Sequence, residues 1–218
     1  EIATLAFRGS TLRYLHGAES VVHIGDGAFR NSSSLTPVNL RDSLLYIGED
    51  AFLACSSKAF SRITVPSSVE HIGSRAFYGC SGLTSVSLDC RIPRIPDSCF
   101  AQCSSLTNIT IPETVRSVGD SAFYNCNSIL YIDLVNTEEV GKSAFQCAGK
   151  GSRLECVVFG ESLRALGRNA FTGCKDLAEL EVYCVRPSGM DEAFQGLDLR
   201  SMKLYATSDV AEDWVGFD

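Results

Sequence analysis

The sequence predicts an α/β solenoid, a single elongated domain over 1–218 wound from about nine copies of a unit of 22–26 residues. Three observations predict it. Phe recurs at positions 7, 29, 52, 77, 100, 123, 145, 171 and 194, at intervals of 22, 23, 25, 23, 23, 22, 26 and 23 residues. The segment SVEHIGSRAFYGCSGLTSVSL (68–88) supplies the unit in full: an apolar pair (Val69, Ile72), Gly73, the pair Ala76 and Phe77, then Cys80. It closes on Leu-x-x-Val-x-Leu, whose alternation points Val86 and Leu88 inward and Ser85 and Ser87 outward. Stacked in register, such segments form a short parallel strand per copy, and each copy is expected to add a second extended segment and a short helical turn.

In chain order, the first copy is partial, with Ala6, Phe7, Leu12 and Leu15 in place. SVVHIGDGAF (20–29) superimposes on 68–77 without gaps and continues through Leu35, Val38 and Leu40, with Ser32 where the Cys belongs. SLLYIGEDAF (43–52) is followed by a two-residue insertion that makes Phe60, Ile63 and Val65 the strand set. In IPRIPDSCF (92–100), Pro96 takes the Gly place and Cys99 the Ala place. TVRSVGDSAF (114–123) returns to the pattern, with Ile129, Ile132 and Leu134 behind it. After TEEVGKSAF (137–145) comes an AGKG insertion at 148–151, then Leu154, Val157 and Phe159. SLRALGRNAF (162–171) runs on to Leu177, Leu180 and Val182. The last copy keeps Ala193 and Phe194 and passes through Met202 and Leu204 to Trp214 and Phe217.

Each recurring residue has a physical reason. Gly at 25, 48, 73, 119, 141 and 167 is expected at a positive φ, which costs any residue with a Cβ. Pro66 and Pro112 follow strands and end the ladder, having no N–H to give. The Phe is the largest apolar group of each unit and contributes about 1.5–3 kcal/mol when covered by its neighbours. A lone repeat cannot cover it, so the ends need caps.

Ten cysteines in 218 residues invite a disulfide framework, but their placement favours packing. Cys55, Cys80, Cys103, Cys126 and Cys174 lie three residues after the repeat Phe, and Cys147 two after it. Buried thiols are the favoured reading. Bridging between rungs about 4.8 Å apart is the alternative, and zinc comes third because the chain has no Cys-x-x-Cys pair.

The formal charge of −7, from 19 basic and 26 acidic residues, argues against a nucleic-acid partner. No apolar run approaches the roughly 20 residues of a membrane helix. The chain opens at Glu1, inside a repeat, as a mature or trimmed form of a longer precursor would. Catalysis finds no foothold. His23 and His71 share a repeat position that holds Tyr46, Ser117 and Ala165 elsewhere, so it reads as variable and exposed. The acidic residues scatter over turns, and AGKG lacks the rest of a phosphate loop. Neither an enzyme nor a cofactor is expected.

The residues Ile-Gly-x-x-Ala-Phe, the following Cys and Leu-x-x-Ile-x-Leu resemble the BspA-like, or Treponema pallidum type, leucine-rich repeat family, from about Ile2 to Phe217. The tail KLYATSDVAEDWVGF (203–217) resembles the ending of gut Bacteroides members, a strand and a short Trp-containing cap, with Ala206 and Thr207 where that family has Pro. The resemblance implies a right-handed leucine-rich-repeat solenoid on secreted or surface-anchored proteins that bind other proteins, host matrix and plasma proteins among them. It brings no catalytic residues.

What varies from copy to copy is the outward strand pair: Tyr14/His16, Pro37/Asn39, Arg62/Thr64, Ser85/Ser87, Asn108/Thr110, Tyr131/Asp133, Cys156/Val158, Glu179/Glu181 and Ser201/Lys203. The C-terminal half is richer in aromatic and acidic groups, with Tyr183 and Tyr205 just beyond their strands. Tyr buries area while keeping a polar tip. Tyr131, Asp133, Glu179, Glu181, Tyr183 and Tyr205 are therefore the expected ligand-binding face of an extracellular protein-interaction module, adhesin-like or ligand-capturing. Two readings compete: a carbohydrate-binding surface protein using Tyr131, Tyr183 and Tyr205 as stacking platforms, and an intracellular scaffold, which reduced cysteines would suit.

Overall fold

A computed structural model describes residues 1–17, 19–149, 151–207 and 209–214. Among the described residues the chain forms fourteen short strands, all parallel: β1 (His23–Ile24), β2 (Tyr46–Ile47), β3 (Arg62–Val65), β4 (His71–Ile72), β5 (Ser85–Leu88), β6 (Arg94–Ile95), β7 (Asn108–Ile109), β8 (Ser117–Val118), β9 (Tyr131–Leu134), β10 (Glu139–Val140), β11 (Cys156–Phe159), β12 (Ala165–Leu166), β13 (Glu179–Val182) and β14 (Lys203–Ala206). Two-residue and longer strands stack into separate ladders, a narrow one and a wide one. Each turn of the solenoid passes along the narrow ladder, through a run of turns carrying Ala-Phe, and back along the wide ladder. Nine Phe positions bound eight full turns.

The Leu-x-x-Val-x-Leu alternation reads as expected on the wide ladder: Ile63, Val65, Val86, Leu88, Ile132 and Leu134 are buried, and Arg62, Thr64, Ser85, Tyr131 and Asp133 face out. Of the nine repeat phenylalanines, Phe7 is half-buried at the end and the rest are buried. Their rings form one column with centroids 4.9–5.5 Å apart and planes within 15° of each other. The column follows from the fold, because each ring sits one rung spacing above the last. Trp214, buried, donates its indole N–H to the Cys184 carbonyl at 2.8 Å and stacks on Phe159, which closes the C-terminal end. Phe217 lies outside the described residues.

The expected helical turn is not there, and the only α-helix among the described residues is the single turn α1, Met190–Ala193. In its place stands a run of tight turns bonded between rungs. At 50–55 the N–H groups alternate: those of Asp50, Phe52 and Ala54 donate to Ser74, Ala76 and Tyr78 of the next rung. Those of Leu53 and Cys55 donate three residues back, to Asp50 and Phe52. A right-handed helix is barred because two positions per turn are left-handed, Asp50 (φ 55) and Ala54 (φ 57) here, Arg75 (φ 56) and Gly79 (φ 69) in the next rung. The architecture is thus a parallel β-solenoid with little helix.

The glycines also have another cause than expected. Gly25, Gly48, Gly73, Gly119, Gly141 and Gly167 do not carry positive φ. A Cβ at any of them would lie under 3.0 Å from the backbone of the preceding rung. Gly25 donates its N–H to Ile2, and each of the others donates to the last residue of the preceding narrow strand, as Gly73 does to Ile47 at 2.8 Å and Gly119 to Ile95 at 2.8 Å. Close approach, not backbone twist, selects Gly.

Two prolines interrupt this pattern. Pro96 takes the Gly place and Pro93 the place from which Glu70, Arg116, Glu138 and Arg164 donate to the rung before. Neither has an N–H to give. The narrow ladder accordingly divides into β1-β2-β4 and β6-β8-β10-β12. The wide ladder divides about one and a half turns later, into β3-β5-β7 and β9-β11-β13-β14. The first two copies contribute no wide strand, so Tyr14/His16 and Pro37/Asn39 are not strand pairs; Pro37 could not donate to a ladder in any case.

Candidate functional site

The cysteine ladder belongs to the interior. All ten cysteines are free thiols, nine buried and Cys156 half-buried. The carbonyls of Phe29, Phe52, Phe77 and Phe100 each accept the N–H three residues on, and their second lone pair is taken by the Cys thiol of the following rung; Phe145 takes thiol donation alone. Cys55 donates to Phe29 at 3.0 Å, Cys80 to Phe52 at 3.1 Å, Cys103 to Phe77 at 3.2 Å, Cys126 to Phe100 at 3.0 Å and Cys174 to Phe145 at 3.2 Å. Ser32, buried in the same place, donates to Phe7 at 2.7 Å. The position therefore calls for a small donor, which is why Cys and Ser both serve. Burial pushes the thiols of Cys80, Cys99 and Cys126 well up and that of Cys103 to about 12.

The outward face of the C-terminal wide sheet is differently made. Register places Tyr131, Cys156, Glu179 and Lys203 in one row across β9, β11, β13 and β14, and Asp133, Val158, Glu181 and Tyr205 in a second. Tyr183 follows β13. The sheet thus carries five of the six residues that the sequence singled out, with Tyr183 just past the end of β13. The last outward pair is corrected: it is Lys203/Tyr205, not Ser201/Lys203, because Ser201 lies in the 3-10 turn Leu199–Ser201 and the strand begins two residues later. Tyr131, Tyr183 and Tyr205 are 49%, 43% and 51% exposed. Burial raises the Tyr131 phenol, with Asp133 and Glu181 adding to the effect, so the Tyr sits among the carboxylates. Glu179 meets Lys203 at 3.4 Å. Beside Tyr131 and Glu179 an open groove of about 610 Å³ is lined also by Leu130, Glu155, Cys156 and Asp176.

A second hollow, about 520 Å³, opens on the narrow side where Pro93 and Pro96 part the ladder, lined by Tyr46, Glu49, Glu70, His71, Arg94 and Asp97 among others. Next to it His23, Tyr46 and His71 stack at 4.4 Å per step. Their repeat position is exposed to half-buried, as the variability of the position implied. Pro96 is legible in the sequence as an irregularity, but this hollow is not; the missing signal is Pro93, whose rung position only the bonding pattern identifies.

The family described as BspA type leucine rich repeat region matches in six copies, over residues 1–129, 54–178 and 93–213. The chain belongs to this family. A leucine-rich repeat protein from Bacteroides ovatus is 24% identical, with TM-score 0.58, and the match covers 94% of this chain and 63% of that one. This chain therefore spans less than two thirds of that relative. A leucine-rich repeat protein of T. pallidum is 25% identical over 66% of this chain and 68% of its own, with TM-score 0.54. The pneumococcal vaccine antigen PcpA shares the fold at 15% identity, TM-score 0.55, over 97% of this chain and 66% of its own. No curated protein matches. The BspA-type repeat family implies a protein-interaction module. Among the described residues no cluster of His, Cys, Asp and Glu could hold a metal, and no helix is long and apolar enough to cross a membrane.

Proposed function

We propose that this BspA-type module acts outside the cell or at its surface, adhesin-like or in ligand capture, and engages a protein ligand through the outward rows of β9, β11, β13 and β14. One observation carries the reading: three exposed tyrosines and three carboxylates share one sheet face, while the turn edge spends its recurring residues on packing and inter-rung bonds. Tyr among charged groups is the composition of an interface centre. Three strand spacings separate β9 from β14, so the face spans on the order of 10–15 Å, the scale of a hot-spot cluster. Basic or hydroxyl-rich protein surfaces fit it best, host matrix and plasma proteins being the first to try.

The test starts from an array of such proteins and a glycan array probed in parallel. Against a captured protein, the double variant Tyr131→Ala/Glu181→Ala should weaken binding at least tenfold while moving Tm by no more than a few degrees. Binding that survives this change but is lost on altering exposed residues of the turn edge would put the functional face elsewhere. Capture of glycans alone, abolished by Tyr131→Ala and Tyr205→Ala, would make the face a carbohydrate site.

A further inference from the structure

One rung departs from the thiol ladder, and its departure is chemical. Cys147 comes one residue early, and its thiol lies 3.6 Å from the carbonyl of Phe145 in its own rung instead of on the rung before. It faces Cys174 of the next rung, with the two sulfurs 3.8 Å apart. The close approach is built in: Gly173 stands beside Cys174 at φ 81, and a Cβ there would run into the Cys147 carbonyl. On the other side the chain enters the 148–151 insertion, where Gly149 and Gly151 have open space around them. Ala148 and Gly149 are exposed, and Cys147 itself is 8% exposed, whereas Cys174 is fully buried.

We propose that Cys147 and Cys174 form a peroxide-reactive dithiol, with Cys147 as the nucleophile and Cys174 as the resolving thiol. The thiolate of Cys147 attacks one oxygen of hydrogen peroxide and breaks the O–O bond, giving Cys147 sulfenic acid and hydroxide. Cys174 sulfur then attacks the sulfenic sulfur; its proton and the departing hydroxyl leave as water. The sum is two thiols and one peroxide to one disulfide and two waters, the peroxide taking the two electrons. A hydroperoxide is the oxidant the site admits, because a sulfur with so small an exposed surface excludes bulkier disulfides. The single Cys174 proton has two acceptors in reach, the Phe145 carbonyl and the Cys147 sulfur, and turns to the sulfur when Cys147 ionises. That donation, aided by the Ser152 hydroxyl, outweighs burial and holds Cys147 down to about 7, while burial pushes the ladder thiols of Cys80, Cys103 and Cys126 up. The nucleophile needs the thiolate, so one pair is reactive and the ladder inert. Closing to the bonded distance of about 2.05 Å requires the sulfurs to move together by roughly 1.8 Å, and the open space around Gly149 and Gly151 leaves the backbone on the Cys147 side room for it.

The experiment treats the native protein with graded hydrogen peroxide, blocks remaining thiols with an alkylating reagent, and maps linked peptides by mass spectrometry without reduction. The expected result is a Cys147–Cys174 linkage, reversed by dithiothreitol, forming at least tenfold faster than any oxidation of Cys80, Cys103 or Cys126, with a rate that rises through about pH 7. Cys174→Ser should stop at Cys147 sulfenic acid, trapped by a dione reagent, and Cys147→Ser should remove both products. Ser already occupies the ladder place at Ser32, so Cys174→Ser is expected to fold, and circular dichroism checks both variants. If the linkage is absent in the native protein, or ladder cysteines oxidise as fast as Cys147, the proposal is wrong. Direct oxidation of Cys174 in Cys147→Ser at the native rate would also overturn it, by reversing the roles.

Discussion

The turn edge and the outward wide face are made from the same repeat at the same spacing, yet they differ in what their atoms are free to do. Along the turn edge, the Phe ring meets two other rings, its N–H meets the next rung, and its carbonyl takes both a local N–H and a thiol. Each residue there is fixed by neighbours above and below, so each copy must repeat it. On the wide face, the outward side chains answer to water and to one another across the strands, and positions equivalent in register hold Tyr, Cys, Glu and Lys. Freedom to vary is what recognition requires, and the outward face has it where the turn edge does not.

The sharpest way to break that contrast is to empty the interior. Phe123, buried between Phe100 and Phe145, should cost about 3–5 kcal/mol when replaced by Ala, the range for truncating a core Phe. His71→Ala should cost far less, because His71 is exposed and loses only its stack on Tyr46, about 0.5–1.5 kcal/mol. Urea melts compare the two. Equal losses would mean that inside and outside have been confused.

A methyl group added between rungs tests the other constraint. In Gly73→Ala the new Cβ meets the backbone of Gly48 and Glu49, which cannot swing away as a side chain could. Overpacking of this kind costs about 1–3 kcal/mol. Gly149→Ala is the control: its Cβ meets nothing, and the cost there comes from backbone conformation alone. If Gly73→Ala melts at the wild-type temperature, the rungs are further apart than described.

What the sequence disclosed, and what it hid, follows the same division. Periodicity made the Phe column, the buried Cys place and the Val86/Leu88 alternation legible, since each is a side-chain preference repeated many times. The reason for Gly73 was misread because close approach and positive φ both select Gly, and composition alone does not separate them. The helical turn was expected because the left-handed positions hold residues such as Arg75 and Ser98, which carry no glycine signature; only the bonds to the next rung hold them there. The last outward pair slipped by two because Met202 and Leu204 alternate as a strand pair would, while Asp198 and Leu199 start a turn that delays the strand. Of the candidate face, the six residues were legible from variability, but their assembly on one four-stranded sheet depended on the split in the wide ladder, which no residue of β9 announces.

The smallest effect at neutral pH belongs to the thiol ladder, and pH makes it measurable. Cys103→Ser keeps a donor for the Phe77 carbonyl, as Ser32 does for Phe7, so at pH 7 it should cost only about 1 kcal/mol. The wild-type thiol, however, is pushed up to about 12 by burial, against about 8.5 for an unfolded Cys. Between those values the folded chain keeps a proton that the unfolded chain has lost. The stability that the thiol contributes is thus fully present below about pH 8.5 and is lost progressively as pH rises toward 12. Serine has no such titration, and the remaining cysteines are common to both proteins and cancel. Urea melts at pH 7 and pH 10 should therefore show the wild-type advantage over Cys103→Ser shrinking and then reversing. A difference unchanged across that interval would show that Cys103 is not held as a buried thiol, and the contrast between a closed edge and an open face would lose its chemical support.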